Sequence, residues 1–223
     1  MSIGIFISVD LSIKCMARFE YESPSDVFPS TIRTGRLLFK RVSYDILDVR
    51  KMYELYSAAD VTETRFVTFT PHSSIHETRE WMDASIEKFD TGKSAGYFLF
   101  ETDKNGNPED FIGTAGFTPS WEKSIAESGI FLFEEYWGNE YSSERGEAML
   151  SLAFEELDFE WWISKCHPDN TGSERAIEKY VVGNGGERVG VLPNFGLGIT
   201  DSESADDLLY FKLSQESYLS ERS

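Results

Sequence analysis

The chain has 223 residues, of which 40% are hydrophobic, and its 39 acidic and 21 basic side chains give a formal net charge of −18. This length and apolar content fit one globular domain, and so negative a charge argues against binding to nucleic acid or an anionic membrane surface, which both attract basic faces. No run of about eighteen consecutive apolar residues occurs in the sequence, so no transmembrane helix is predicted.

The acidic residues are spread along the whole chain rather than gathered in a tail, and only ten of the basic residues are lysines. This pattern is expected of a protein from the cytosol of a salt-loving organism, although an ordinary acidic protein would share it. Cys15 and Cys166 stand far apart without motif spacing, which fits a reducing cytoplasm and gives no sign of a disulfide framework. The composition therefore predicts a cytoplasmic, acidic and halophilic protein.

Hydrophobic patterning predicts strands and helices from about residue 36 onward. Predicted strands lie at 36–42, 96–102, 111–119, 124–133, 161–166 and 208–213. Predicted helices follow Ser43, cover 72–91 and about 143–157, and follow Asn170. The Asn105-Gly106 pair supplies the positive φ angles of a tight hairpin turn between the second and third strands. The glycine-rich stretch 182–190 is interpreted as a turn, because Arg188 stands where a dinucleotide-binding fingerprint would need glycine.

His72 and His76 are spaced to share one helical face, as the two histidines of a zinc site would be. A zinc hydrolase motif has glutamate directly after the first histidine, where this chain has Ser73, and the sequence offers no third ligand. We therefore expect a solvated helix end here and no metal.

The stretch from Ile130 to Val181 organises the rest of the sequence. Its apolar runs and helical patterns predict strand, loop, helix, strand and helix in succession, a βαβα unit. Such a unit places the open end of a strand beside the N-terminus of a helix, where free backbone N–H groups attract anions and above all phosphates. We therefore expect a phosphate-bearing ligand at the loop from Tyr136 to Ser142.

This stretch resembles the acetyl-CoA-binding core of the GNAT superfamily of N-acetyltransferases. Its segments YWGNEYSSE, AFEEL and HPDNTGSERAIEK are similar in particular to the branch of ribosomal-protein N-terminal acetyltransferases, with acidic members from salt-loving archaea nearest. That branch has a Trp-Gly-x-Gly-Tyr-x-x-Glu loop and an Asp-x-x-Asn-x-x-Ser turn followed by a Glu-Lys pair. The matching positions in this chain are Trp137, Gly138, Tyr141, Glu144, Asn170, Ser173, Glu178 and Lys179.

The chain departs from that pattern at three places. Glu140 replaces the second glycine of the loop, His167 replaces the aspartate of the turn, and Tyr180 to Val182 replace the usual Gly-Phe. An inward Glu140 would repel a diphosphate by roughly 3 kcal/mol at a separation of about 5 Å and an effective dielectric of about 20. An outward Glu140 would hardly be felt, and we expect the outward orientation.

The resemblance implies an α/β (α+β) fold of the GNAT type. Its sheet is expected to be mixed, mostly antiparallel and twisted, with about seven strands, splayed centrally and covered by helices on both faces. The domain is expected over residues 31–218, with a homodimer as an option. Residues 1–30 are expected to be an extended lead-in, with Met16 as an alternative start because family-like sequence begins only near Pro29. Residues 219–223 are expected to form a frayed tail.

The resemblance also implies acetyl-CoA as co-substrate and requires no metal. The residues implied to bind acetyl-CoA are Phe131, Leu132, Phe133, Trp137, Gly138, Asn139, Glu140, Tyr141, Ser142, Ser143, Asn170 and Ser173. The loop would hold the diphosphate on its backbone N–H groups, while Asn170 and Ser173 would approach the pantetheine and thiol end. A capping role for Asn170 in the helix that follows is the competing interpretation. Phe66 and Trp81 belong to the segment that forms the acceptor wall in the superfamily, with core packing as the alternative for both.

For catalysis, Glu127 matches a family position that often carries an acid facing the acceptor amine, and an ordinary outward strand residue is the alternative. Glu127 would take a proton from the amine, and N–H groups near Leu132 and Phe133 would stabilise the oxyanion. Ser173 would protonate the leaving thiolate. Many members use a tyrosine for that last step, at the position that Ile177 occupies here.

Two functions stay open on the sequence alone. The first is transfer of an acetyl group from acetyl-CoA to an amine of a protein N-terminus, a lysine or a small molecule, by direct attack in a ternary complex. The second is a non-catalytic acyl-CoA-binding or interaction module with a degenerate site. Glu140, Ile177 at the usual tyrosine position and the altered Gly-Phe favour the second function. Trp137-Gly138, Asn170, Ser173 and Glu127 favour the enzyme, which we expect.

Overall fold

A computed structural model describes residues 23–58, 66, 71–194 and 207–222, and the structural statements below refer to these residues. Its central feature is an eight-stranded sheet. The strands are Thr31–Arg33 (β1), Leu37–Arg41 (β2), Ala95–Thr102 (β3), Pro108–Ser120 (β4), Ile125–Leu132 (β5), Trp161–Cys166 (β6), Glu187–Leu192 (β7) and Leu208–Ser214 (β8). Their order across the sheet is β1-β2-β3-β4-β5-β6-β8-β7.

Every neighbouring pair of strands is antiparallel except β5 and β6, which are parallel. This confirms the predicted mixed, mostly antiparallel sheet. The two strands beyond the six located from the sequence are β1 and β7. β1 has three residues, too few for a periodic pattern, and β7 begins inside the stretch predicted as a turn. That turn is complete by Gly186, because Gly185 reverses the chain with a φ of 84°.

Helices cover both faces of the sheet, as predicted. They are Val49–Ala58 (α1), Ile75–Asp90 (α2), Tyr141–Ser151 (α3), Thr171–Tyr180 (α4) and Gln215–Ser220 (α5). The helices α1 and α2 bury Met52, Tyr56 and Met82 in one apolar cluster, while α3, α4 and α5 bury Met149, Ile177 and Tyr218 in a second cluster on the other face. No helix among the described residues is long and apolar enough to cross a bilayer.

Side-chain caps explain where the first two helices begin. The predicted helix after Ser43 starts only at Val49, because residues 43–47 form a turn and the Asp48 carboxylate accepts a hydrogen bond from the Arg50 N–H at 2.7 Å. Ser74 accepts from the Glu77 N–H at 3.3 Å, so α2 begins at Ile75 rather than at His72. Both caps satisfy donors that a helix N-terminus otherwise leaves unpaired.

The central splay lies between β5 and β6. These strands pair over three positions, from Ile125 with Trp161 to Glu127 with Ile163. Beyond them β5 continues to Leu132 and β6 to Cys166 without further pairing, so the two strands diverge and leave a wedge-shaped gap. The last turn of the helical segment after β5, Leu152–Glu156, is π-helical rather than α-helical.

The end of the chain carries a helix where the sequence analysis expected a frayed tail. Ser214 caps α5 by accepting from the Ser217 N–H at 3.1 Å, and Tyr218 is buried with its hydroxyl donating to Glu155 at 2.6 Å. Arg222 adds an ion pair with Glu147 at 2.9 Å. These contacts hold the chain through Arg222, and polar composition alone did not reveal them.

The packing of α3 on α4 depends on one small residue. A Cβ added to Gly146 would lie 2.4 Å from Cδ1 of the buried Tyr180 ring, too close for any real contact. We predict that Gly146→Ala lowers the free energy of unfolding by about 1–3 kcal/mol, because the two helices must separate or the ring must leave its rotamer. Chemical denaturation would measure it.

The matched control is Gly183→Ala, where an added Cβ meets nothing within 4 Å. Equal denaturation midpoints for the two variants would contradict the close packing of α3 against α4.

Candidate active site

The gap between β5 and β6 exposes backbone N–H groups of β5. In the β4–β5 ladder the Phe133 N–H donates to the Ile112 carbonyl at 3.1 Å, and Leu132 is paired with Gly113. Hydrogen-bonded and non-hydrogen-bonded pairs alternate in an antiparallel ladder, so the Leu132 N–H points away from β4 and into the gap. Of the two predicted oxyanion donors, the Leu132 N–H can donate to a ligand in the gap, whereas the Phe133 N–H is already used in the β4–β5 ladder.

The loop between β5 and α3 is shaped as a ring of N–H groups. Gly138 and Glu140 have φ angles of 77° and 64°, and the indole N–H of the exposed Trp137 donates to the Leu132 carbonyl at 2.9 Å. The backbone N–H groups of residues 138–142 make no hydrogen bond within the described part of the chain. That of Ser143 donates to the Glu140 carbonyl at 3.0 Å. Ser143 was also expected to bind the anion, but its N–H is already used, so the donors available to an anion are the N–H groups of residues 138–142.

An arginine from the β1–β2 turn holds this loop. Arg36 donates from Nε to Glu144 Oε2 at 2.8 Å and from Nη1 to the Asn139 carbonyl at 3.0 Å, and its guanidinium lies 4.7 Å from the Tyr141 ring centroid. Glu144 also accepts from the Thr34 hydroxyl at 2.6 Å and the Arg36 N–H at 2.8 Å. Burial raises the pKa of Glu144, but these hydrogen bonds outweigh burial and hold it below its usual range.

Glu140 occupies the family's glycine position, and its side chain is exposed. Its Oε2 accepts from the Lys179 ammonium at the end of α4 at 2.6 Å, and that bond lowers the pKa of Glu140. The carboxylate thus lies against α4 and not over the free N–H groups. The left-handed φ is unfavourable for a residue with a Cβ, which explains why glycine suits this position.

At the far side of the gap, Asn170 caps α4. Its side-chain oxygen accepts from the Ser173 N–H at 3.0 Å, so the predicted capping role is present. Burial raises the pKa of the Cys166 thiol to about 12, and the neighbouring Ser173 side chain partly offsets that rise. His167 follows β6 and stacks on Phe66, with ring centroids 5.3 Å apart. Phe66 therefore lies near the open end of the gap.

Glu127 is the last residue of β5 that pairs with β6. Its Oε2 accepts from the Lys165 ammonium at 2.7 Å, and both side chains are partly exposed. Lys165 lies two residues beyond Ile163, the pairing partner of Glu127, so the ion pair spans the gap just where the strands begin to part. The side chain of Glu127 thus lies at the gap, in an ion pair with the Lys165 ammonium.

Other predicted residues pack into the face covered by α1 and α2. Phe131 and Phe133 are buried there, with ring centroids 5.2 Å apart. The ring centroid of Trp81 lies 5.8 Å from that of Tyr56. Trp81 thus packs in the core, as the alternative interpretation held. His72 is buried against Thr78 with Nδ1 2.9 Å from the Thr78 hydroxyl, and burial lowers its pKa. The predicted solvated helix end is thus wrong for His72, while His76 is exposed and paired with Glu80.

A separate cleft of about 620 Å³ opens beside α1 at the end of β5. Its floor is apolar, from Leu55, Phe111 and Phe133, and its rim carries Lys51 and several glutamates. Phe133 lies six residues beyond Glu127, a distance of about 20 Å along an extended strand. The cleft therefore lies far from Glu127, beyond the other end of β5.

Sequence reasoning missed two of the cations that complete this site. Arg36 and Lys165 each pair with an acid of the site, but their neighbours in sequence carry no motif that indicates it. Lys179 was named as part of the Glu-Lys pair, but its ion pair with Glu140 was not predicted. The parity of the strands could have placed Lys165 on the same face as Glu127. Among the described residues, no group of three or more histidine, cysteine, aspartate or glutamate side chains is arranged to hold a metal.

Comparisons with known proteins agree with this geometry. The model of the acetyltransferase (GNAT) domain family matches residues 36–180, more than half of the chain. An uncharacterized N-acetyltransferase of Bacillus licheniformis, p20, is 26% identical over 154 residues, which cover 66% of this chain and 79% of that protein.

Two solved structures share the fold at lower identity. The microcin C7 self-immunity acetyltransferase MccE, solved with acetyl-CoA and AMP, superposes with a TM-score of 0.70 at 13% identity over 84% of this chain and 98% of its own. RimL, a ribosomal L7/L12 α-N-protein acetyltransferase solved with coenzyme A, gives a TM-score of 0.68 at 16% identity over 82% of this chain and 97% of its own. The family match, together with the diverging strands and the loop between them, shows that this chain belongs to the GNAT family and is an acyltransferase.

Proposed function

We propose that the protein transfers an acetyl group from acetyl-CoA to an amine by direct attack in a ternary complex. One observation carries the proposal: β5 and β6 part directly beside the loop whose N–H groups at residues 138–142 are free. A thioester ligand whose extended arm is joined to a diphosphate needs both features, a slot for its arm and a ring of donors for its anion.

The donor would lie with its diphosphate on the N–H groups from Gly138 to Ser142. Its pantetheine arm would enter the gap, where Leu132 offers a backbone N–H. The side-chain amide nitrogen of Asn170 makes no hydrogen bond within the described residues and is available to the arm, since only its oxygen is used as the cap. MccE and RimL, which share the fold, were solved with acetyl-CoA and with coenzyme A respectively.

Glu127 is the proposed base. An amine must lose a proton to attack the thioester, and Glu127 is a carboxylate at the edge of the gap. Its contact with Lys165 at 2.7 Å leaves the other carboxylate oxygen for the acceptor, directly or through water. The Leu132 N–H lies about 16 Å from Glu127 along the extended strand, too far to act with it on one thioester, so it would bind the pantetheine arm rather than the oxyanion. Ser173, beside Cys166, would return a proton to the leaving thiolate.

The acceptor is proposed to be a protein N-terminus, a lysine or a small amine. The likeness to RimL favours the branch of ribosomal-protein N-terminal acetyltransferases, because RimL acts on a protein N-terminus. The net charge of −18 favours a cationic acceptor and a halophilic, cytoplasmic setting, and the free, buried thiol of Cys166 fits a reducing compartment. A homodimer stays a prediction.

The role of Glu127 is tested by Glu127→Gln. We expect turnover to fall by about 10²-fold or more, because the amide cannot take the proton. Acetyl-CoA affinity should stay the same, since Glu127 lies beyond the proposed thioester position. Thiol release from acetyl-CoA with a panel of amines measures turnover, and titration calorimetry measures affinity.

The matched control for Glu127 is Glu187→Gln, which breaks the similar cross-strand pair with Lys212, 3.2 Å long, at the edge of the sheet. Unchanged turnover in Glu127→Gln would remove Glu127 from the mechanism. If the folded wild-type protein binds no acetyl-CoA in dilute or molar potassium chloride, the proposed function itself fails.

The position of Glu140 generates a second prediction. Glu140→Gly should raise the melting temperature, because glycine adopts the left-handed φ of 64° without strain and the lost ion pair is exposed. Glu140→Ala removes the same charge but keeps a Cβ, and should not gain stability. Both variants should bind acetyl-CoA slightly more tightly in dilute buffer and unchanged in molar salt. Equal melting temperatures for the two variants would show that backbone strain at residue 140 is not released.

A further inference from the structure

The point where β5 and β6 part has a polar floor. The first residue of each strand beyond the paired segment is a serine, Ser128 on β5 and Ser164 on β6. The Ser128 hydroxyl accepts a hydrogen bond from Arg145 of α3, and the Ser164 hydroxyl is hydrogen bonded to the Tyr180 hydroxyl of α4 at 2.9 Å. Arg145 and Tyr180 also touch, with the guanidinium 5.5 Å from the ring centroid. The four side chains close the bottom of the gap on its α3–α4 side.

Arg145 is the unusual member of this floor. It is 2% exposed, yet no carboxylate of the described residues forms an ion pair with it, and its Nε has no hydrogen-bond partner. Its polar and aromatic contacts, Ser128 and Tyr180, are both neutral. A buried cation without a counter-charge is costly, so buried charges are normally paired. Burial accordingly lowers the pKa of Arg145.

Arg41, which is partly exposed, shows how an arginine of this chain with a buried Nε is ordinarily paired. Arg41 also has a buried Nε without a partner, but its Nη2 donates to Asp90 at 2.7 Å, and its guanidinium lies 4.4 Å from the Phe89 ring centroid. Within residues 23–58, 66, 71–194 and 207–222, a counter-charge is present for Arg41 and none for Arg145. The difference points to an anion from outside the chain at Arg145.

The position of Arg145 indicates which anion this is. The helix α3 begins at Tyr141, so Arg145 lies one turn from the free N–H groups, and its side chain reaches down to Ser128. From Leu132 to Ser128 the strand β5 covers about 13 Å. A donor anchored by its diphosphate at the loop and threaded into the gap thus carries its acyl group toward Arg145.

We propose that Arg145 recognises an acyl group that ends in a carboxylate, so that the protein prefers donors of the dicarboxylic acyl-CoA class to acetyl-CoA. This inference rests on the proposed function, because it requires the donor to lie in the gap. A carboxylate can accept two parallel hydrogen bonds from a guanidinium, which supplies the missing counter-charge. Arg145 is thus a residue that determines donor specificity.

The proposed reaction forms and breaks the same bonds as any acyl transfer from a thioester to an amine. The acceptor nitrogen forms a C–N bond to the thioester carbon, the C–S bond breaks, the amine proton passes to the base, and the thiolate is protonated to the free thiol. The distal carboxylate takes no part in these steps. No oxidant, reductant or further reactant is required.

Binding measurements test the inference without knowledge of the acceptor. Titration calorimetry of the full chain with CoA, acetyl-CoA and succinyl-CoA should show succinyl-CoA binding about ten- to a hundredfold more tightly than acetyl-CoA, as expected for a charged, desolvated hydrogen-bonded pair. Arg145→Gln should abolish that preference, and Arg145→Lys should keep part of it. The control Arg41→Gln should keep the whole preference, because its counter-charge lies elsewhere.

Each outcome decides a different claim. Equal affinity of the wild-type protein for succinyl-CoA and acetyl-CoA overturns the inference and leaves the proposed function intact. A preference that survives in Arg145→Gln assigns it to another residue and also overturns the inference. If Arg145→Gln does not fold, the wild-type comparison and Arg145→Lys still decide. Failure of the folded wild-type protein to bind any of the three ligands counts against the proposed function instead.

Discussion

The molecule depends on a parallel strand pair that stays together for three residues and then comes apart. Short pairing joins the antiparallel halves of the sheet at β5 and β6, and the divergence leaves backbone donors without partners. Such donors are expensive to bury, so a fold with this gap is suited to a ligand that fills it. An apolar cluster packs against each face of the sheet and holds the two halves on either side of the gap.

Acidic residues beside an anion site would repel the anion, and in this chain both are held in ion pairs. Glu140 and Glu144 flank the free N–H groups, and each is met by a cation from a distant part of the sequence, Lys179 and Arg36. The two solutions differ in burial. Glu144 is held by three hydrogen bonds in a partly buried position, whereas the exposed pair of Glu140 weakens as salt screens it. Salt also screens the repulsion between Glu140 and a bound anion, which the Lys179 pair otherwise offsets. The loop therefore tolerates both acids.

Most of the fold was predictable because long periodic segments carry it. The strand 161–166 and the central βαβα unit were located from apolar runs, and Asn170 was placed as a cap from its residue type. The strand β1 has only three residues, and β7 begins in a glycine-rich stretch with a register irregularity between Arg188 and Gly190, so neither has a regular pattern. The π-helical turn at Leu152–Glu156 was not predicted. Arg145 was missed because an arginine within a helix normally indicates an exposed position. Lys165 and Arg36 act through space, across elements that a linear pattern cannot bring together.

The ion pair between Arg36 and Glu144 joins residues 108 positions apart in the sequence. A nascent chain presents Thr34 and Arg36 long before Glu144 has been made, so β1 and β2 can pair while the loop they will hold does not yet exist. Closing so long a loop is entropically slow and follows the local contacts. We therefore expect the donor loop to become ordered only after the local contacts around β1 and β2 have formed.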